Sequence, residues 1–128
     1  MSLLLDTHVA VWWWCAPERL SPRSLERMKH PTTPVWFSAV SAFEISLKHR
    51  LGRLPLPAMV VGNLEQRAVE EGWSLLPISV RHAQRAGDWD SEHRDPFDRL
   101  LAAQAELENL ELVTADPAFR AFAVRCLW

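Results

Sequence analysis

An α/β fold on a mostly parallel five-stranded sheet is predicted by three features of the sequence. Short apolar runs alternate with helix-length segments, several helical segments open on a capping residue, and glycine or proline marks many of the boundaries. The chain has 128 residues, 48% of them hydrophobic, which suits one domain with a packed core and argues against disorder.

The elements follow in order. Leu3-Leu4-Leu5 reads as a buried strand ended by Asp6. Val9 to Trp14 reads as helix, because Asp6 or Thr7 can cap its start. A short helix fits Ser21–Lys29, with Ser21 as cap and Pro22 in the first helical position. Val35 to Ser38 is the second strand, and a helix from about Ala39 to Leu51 is stopped by Gly52. Pro57 to Glu71 reads as one helix ended by Gly72. Leu75 to Ile78 is a third strand, short or near an edge because of Pro77. Val80 to Gly87 is a short helix, and Asp95-Pro96 opens a longer one to about Asn109. Leu112 to Thr114 and Ala123 to Leu127 are the last two strands. No repeat or low-complexity linker divides the chain.

The bulk properties narrow the function. Net charge is −2, so the chain is no globally basic nucleic-acid coat, and RNA binding would need a local basic rim or metal ions. Cys15 and Cys126 form no CxxC pair or zinc spacing and read as packed thiols in a reducing compartment. The longest apolar run, Val9 to Ala16, is too short to span a membrane, and the first residues lack the basic start of a signal peptide. A cytoplasmic protein is expected.

In parallel sheets, ligands bind beyond the carboxyl ends of the strands. Asp6 follows the first strand and Asp116 the fourth, so the two share an edge if those strands are parallel neighbours. Glu44 lies in the helix after the second strand, and Asp98 in the first turn of the helix leading to the fourth. Each also has an ordinary reading. Asp6 can cap a helix, and Asp116 precedes Pro117 in cap-plus-proline order. Glu44 lies three residues after Ser41, the spacing of a capping box, and Asp98 favours the dipole of a helix opened by Asp95. Together the four would repel unless protonated or neutralised by a cation, and an all-oxygen set suits a hard ion.

The segments LLLDTHVAVWW, SAVSAFEISLKHRLGRL, HRDPFDRLLAAQA and LVTADPAF carry a resemblance to PIN-domain proteins, most of all to the VapC-type ribonuclease toxins of bacterial toxin–antitoxin pairs. They occur in the family's order from Leu3 to about Phe119, and DPFDRLLAAQA is the most specific. The resemblance implies a three-layer α/β/α sandwich and an endoribonuclease that uses Mg²⁺, with Mn²⁺ able to substitute. It also implies a cognate antitoxin that blocks the site, and by analogy a homodimer. It assigns Asp6, Glu44, Asp98 and Asp116 to metal binding and catalysis. Asp95 is a further acid whose role is either cap or ligand, and Thr114 matches a polar position that orients a carboxylate or a water.

Phosphate contacts are expected from Lys48, His49, Arg50 and Arg53 near Glu44, and from His93, Arg94 and Arg99 near Asp98. Lys48 also stands in ion-pair spacing to Glu44, and most such charges are solvated faces. His8 is either an RNA contact or a plain surface residue. Trp12, Trp13 and Trp14 span about 200° of a helix, so one of them is expected to meet a second surface, a partner protein in preference to RNA. Two other classes compete. A metal-dependent phosphatase lacks support because Asp6-Thr7-His8 holds no DxD pair. A catalytically silent PIN-like RNA-binding module is disfavoured by the intact acids.

Overall fold

The computed structural model describes residues 1–54 and 56–128. The strands are β1 (Leu3–Leu5), β2 (Val35–Ser38), β3 (Ser74–Leu76), β4 (Glu111–Val113) and β5 (Cys126–Leu127). The helices are α1 (Thr7–Cys15), α2 (Pro22–Lys29), α3 (Ala39–Arg50), α4 (Ala58–Val61), α5 (Leu64–Glu70), α6 (Val80–Asp88) and α7 (Pro96–Leu107). Short 3-10 helices cover Pro17–Arg19 and Pro117–Phe122.

The strands lie in the order β3-β2-β1-β4-β5, and every pair is parallel. The chain builds outward from β1 to β3, then returns to place β4 on the other side of β1. That reversal makes the gap between the carboxyl ends of β1 and β4 the switch point where such sheets open a crevice.

Side chains alternate across the sheet. Leu3, Leu5, Val35, Phe37, Val113 and Leu127 face one core with Val9, Ala10, Ile45, Leu64 and Ala68. Leu4, Leu112 and Leu76 face the other with Leu101, Ala102, Ala105, Phe119 and Phe122. The expected α/β/α sandwich is therefore present. α1, α2, α4 and α5 cover one face, and α7 with α6 the other. Among the described residues, no helix is long and apolar enough to cross a membrane.

Three elements differ from the sequence reading. The single helix expected over 57–71 is two. Asn63 leaves helical geometry at φ −136° and its side-chain amide donates to the Met59 carbonyl at 2.9 Å. The bend brings both Val60 and Leu64 into the core. β3 stops at Leu76, because Pro77 has no N–H to continue a ladder. β5 begins only at Cys126, because the 3-10 helix ends in left-handed Ala123, φ 52°.

The three consecutive tryptophans are each half-buried against the α1-side core. Trp13 and Trp14 point toward Trp73, with ring centroids 5.8 and 5.3 Å away. Trp12 faces the opposite way, toward Trp128.

A buried amide ties the layers together near the carboxyl edge. Gln104 of α7 is 0% exposed; its Oε1 accepts the Ser38 hydroxyl and its Nε2 donates to the Pro77 carbonyl at 3.2 Å. The Ser38 oxygen in turn accepts the Val40 N–H and so caps α3. Gln104→Leu keeps the volume but strands these partners, so urea unfolding should show a loss of about 1–3 kcal/mol. Unchanged stability would show the network to be dispensable.

Candidate active site

Asp6 is the first residue past β1 and is only 5% exposed. Its backbone carbonyl starts α1 by accepting the Val9 and Ala10 N–H groups, but its side chain makes no capping bond. Instead Oδ2 accepts the Thr114 hydroxyl at 2.8 Å, from the residue just past β4. The same hydroxyl oxygen accepts the Asp116 N–H at 3.0 Å. Thr114 thus links Asp6 with the Asp116 backbone, and the parallel register that pairs Leu5 with Val113 makes this possible.

Glu44 lies in the second turn of α3 and is 4% exposed. The capping-box reading fails for it, because Ser38 rather than Ser41 caps α3. Glu44 Oε2 instead accepts from Lys48, one turn later. Ser41 has a different task. Its hydroxyl bonds the Thr7 hydroxyl at 3.0 Å and joins α3 to α1 beside Asp6.

Asp98 is partly buried in the first turn of α7, and Oδ2 is 2.8 Å from His93 Nε2. Asp95 caps this helix, its Oδ1 accepting the Phe97 and Asp98 N–H groups. Asp116 is exposed, and its Oδ1 accepts the Ala118 N–H as the cap of the 3-10 helix. The cap reading therefore holds for Asp95 and Asp116, and not for the side chains of Asp6 and Glu44.

Asp6, Asp98 and Glu44 lie within electrostatic reach of one another, and Asp116 acts on neither Asp6 nor Asp98. Burial pushes the Asp6 carboxyl up to about 6; the Thr114 hydroxyl and nearby His8 oppose this, while Asp98 and Glu44 add to it by like-charge repulsion. Asp98 is raised as well, chiefly by burial, against the lowering hydrogen bond from His93 and with repulsion from Asp95 and Glu44.

Oxygen donors that repel one another and leave Asp6 Oδ1 without a hydrogen-bond donor among the described residues suit a hard divalent cation. As the side chains stand, no three metal-ligating groups among the described residues share one ion. Glu44 is drawn to Lys48 and Asp98 to His93, so these are the carboxylates whose partners would have to yield or share.

The phosphate contacts expected from the sequence divide. Arg50, Arg53 and Arg94 are exposed. Lys48 is committed to Glu44. Arg99 is a correction: its guanidinium donates to the carbonyls of Ala86, Ser91, His93 and Trp89, so it moulds the α6–α7 connection. That connection sets His93 against Asp98, a pairing whose five-residue separation matches no regular spacing. An apolar cavity of about 260 Å³ between Phe37, Ala42, Leu75 and Pro77 has none of the four acids in its wall.

Residues 3–125 match the PIN domain. The chain belongs to the PIN-domain family. This PIN domain is 33% identical to Ribonuclease VapC22 of Mycobacterium tuberculosis over 120 residues, covering 93% of this chain and 90% of that one. Its fold resembles VapBC2 from Rickettsia felis, solved bound to a DNA fragment from the promoter. There the TM-score is 0.74 at 15% identity, over 99% of this chain and 98% of that one. A toxin–antitoxin complex from Klebsiella pneumoniae matches with TM-score 0.62 at 18% identity, over 95% of this chain and 91% of the other. At such identities the structural likeness is one of fold.

Two stability predictions follow from this PIN domain's acids. Asp6 binds its proton more tightly folded than unfolded, so its contribution is complete below the ordinary value of 3.8 and is lost as pH rises through about 6. In metal-free buffer at about pH 7.5, Asp6→Asn should therefore raise the unfolding free energy by roughly 2–3 kcal/mol. The gain should fade toward about pH 4, and denaturation at both pH values checks the sign. For Asp95, thermal unfolding should show a loss of about 1 kcal/mol for Asp95→Ala and a near-neutral Asp95→Asn, because asparagine also caps.

Proposed function

We propose that this PIN domain is a metal-dependent endoribonuclease, the toxin of a toxin–antitoxin pair. The observation that carries the reading is the Asp6 carboxylate, buried at the β1–β4 switch point, held by Thr114 and repelled by Asp98 and Glu44. A buried acid among like charges is costly to keep, and a site that concentrates such groups is a functional candidate. The family and the ribonuclease relative support the same class.

In this reading Asp6, Asp98 and Asp116 would hold Mg²⁺ or Mn²⁺, and Glu44 would hold a second ion or orient the attacking water. When bound, the ion would supply Lewis acidity and neutralise charge at the phosphodiester. The chain's own residues prepare the ground. Thr114 fixes one Asp6 oxygen, and the other meets no hydrogen-bond donor among the described residues. The Thr7–Ser41 and Ser38–Gln104 bonds tie α1 to α3 and the start of α3 to α7, so the backbone that carries the acids is fixed while the Lys48 and His93 pairings yield. RNA is the proposed substrate, an antitoxin protein the proposed inhibitor, and a homodimer the proposed assembly. The two complexes of matching fold are themselves assemblies of this toxin–antitoxin kind.

Incubation of the purified chain with single-stranded RNA tests this. Cleavage should require Mg²⁺ or Mn²⁺ and stop with EDTA. Asp6→Asn should lower the rate by about a hundredfold or more while the protein remains folded. RNA held without cutting at any metal concentration would identify a silent binding module instead, and full activity in Asp6→Asn would overturn the assigned site.

A further inference from the structure

A cluster of acids does not by itself hold RNA. Of the cations nearest those acids, Lys48 is joined to Glu44, and Arg99 is committed to four backbone carbonyls. A different row of side chains lies beside the site, exposed at both ends and half-buried in the middle. His8, two residues past Asp6, is exposed. Trp12 stands one turn further along the same face of α1, its ring centroid 6.0 Å from that of His8. Trp128, directly after β5, lies 5.8 Å beyond Trp12 and is 37% exposed. Because β5 is parallel to β4, this residue leaves the sheet at the same edge as Thr114.

One cation flanks the row. The exposed Arg19 places its guanidinium 4.8 Å from the Trp12 ring centroid. We propose that His8, Trp12 and Trp128, with Arg19, form a base-stacking track that leads single-stranded RNA to the acidic edge. The inference rests on the nuclease reading above and deepens it by assigning the surface that holds the strand. Aromatic rings offer stacking surface to any base, and a guanidinium beside them meets the phosphates. Contact with Arg19, His8 and Trp128 holds the Trp12 ring in place, so little ordering remains when a base arrives. A guanidinium set against an aromatic row favours a polyanion with planar groups over an apolar protein segment.

The test measures binding in the Asp6→Asn background, which keeps the strand intact, by anisotropy of a labelled short single-stranded RNA of mixed sequence. A ribose-phosphate strand of equal length without bases is the comparison. Adding Trp128→Ala should weaken RNA binding about five- to a hundredfold. Trp128→Phe should stay within about threefold of the parent. The abasic strand should bind the parent and the Trp128→Ala protein alike. In the cleaving protein with Mg²⁺, Trp128→Ala should raise KM and leave kcat unchanged, the mark of binding lost equally in ground and transition states. Unchanged RNA affinity would overturn the track, including the case in which the row serves a protein partner. An equal loss on both strands would also overturn it, since that change does not involve bases. Absence of metal-dependent cleavage with base-dependent binding intact would instead sink the nuclease reading and leave the track standing.

Discussion

The Thr114 hydroxyl bonded to Asp6 is the interaction around which the candidate site is arranged. It joins the first residue past β1 to the first past β4, across the point where the sheet reverses its order of construction. One hydroxyl holds the carboxylate by donation and also receives the backbone of Asp116. Without a parallel β1–β4 pair these groups would face different edges. The hydrogen bond offsets only part of the cost of burial, and the Asp6 carboxyl remains far above the ordinary range. The fold thus carries an electrostatic tension at its centre, which a divalent cation would relieve.

Around that tension stands a frame of neutral polar bonds. Thr7 with Ser41 joins α1 to α3, and Ser38 with Gln104 joins the start of α3 to α7. None of these groups titrates in the working range, so they hold the acid-bearing elements together whatever the charge of the site. The two ion pairs are different in kind. Lys48 and His93 each occupy a carboxylate that metal binding would need, and both are partly open to solvent, where exchange of partners is inexpensive. A rigid neutral frame and exchangeable charged partners together would suit the cation site proposed for these acids.

Local features of the sequence were readable because the bonds that create them span few residues. Asp95 before Pro96 and Asp116 before Pro117 announce helix caps, and both caps form. Glu44 and Lys48, four apart on one helix, announce an ion pair, and it forms. The one-helix reading of 57–71 failed because the bend depends on where Val60 and Leu64 find core. The Arg99 reading failed because the carbonyls that occupy its guanidinium belong to a connection with no regular spacing.

What the sequence determined by itself was the alternation of strand and helix, the parallel architecture, and the short list of acids at strand ends and helix starts. Hydrophobic period and capping chemistry act within a few residues, so they can be read in order along the chain. Only the tertiary structure decided which acids cap and which are buried together, that Thr114 reaches Asp6 from 108 residues away, and that Trp12 turns to Trp128 rather than to Trp13's neighbours. Those meetings depend on how the crossovers order the strands, and strand order is set by the packing of two whole cores, which no local spacing records.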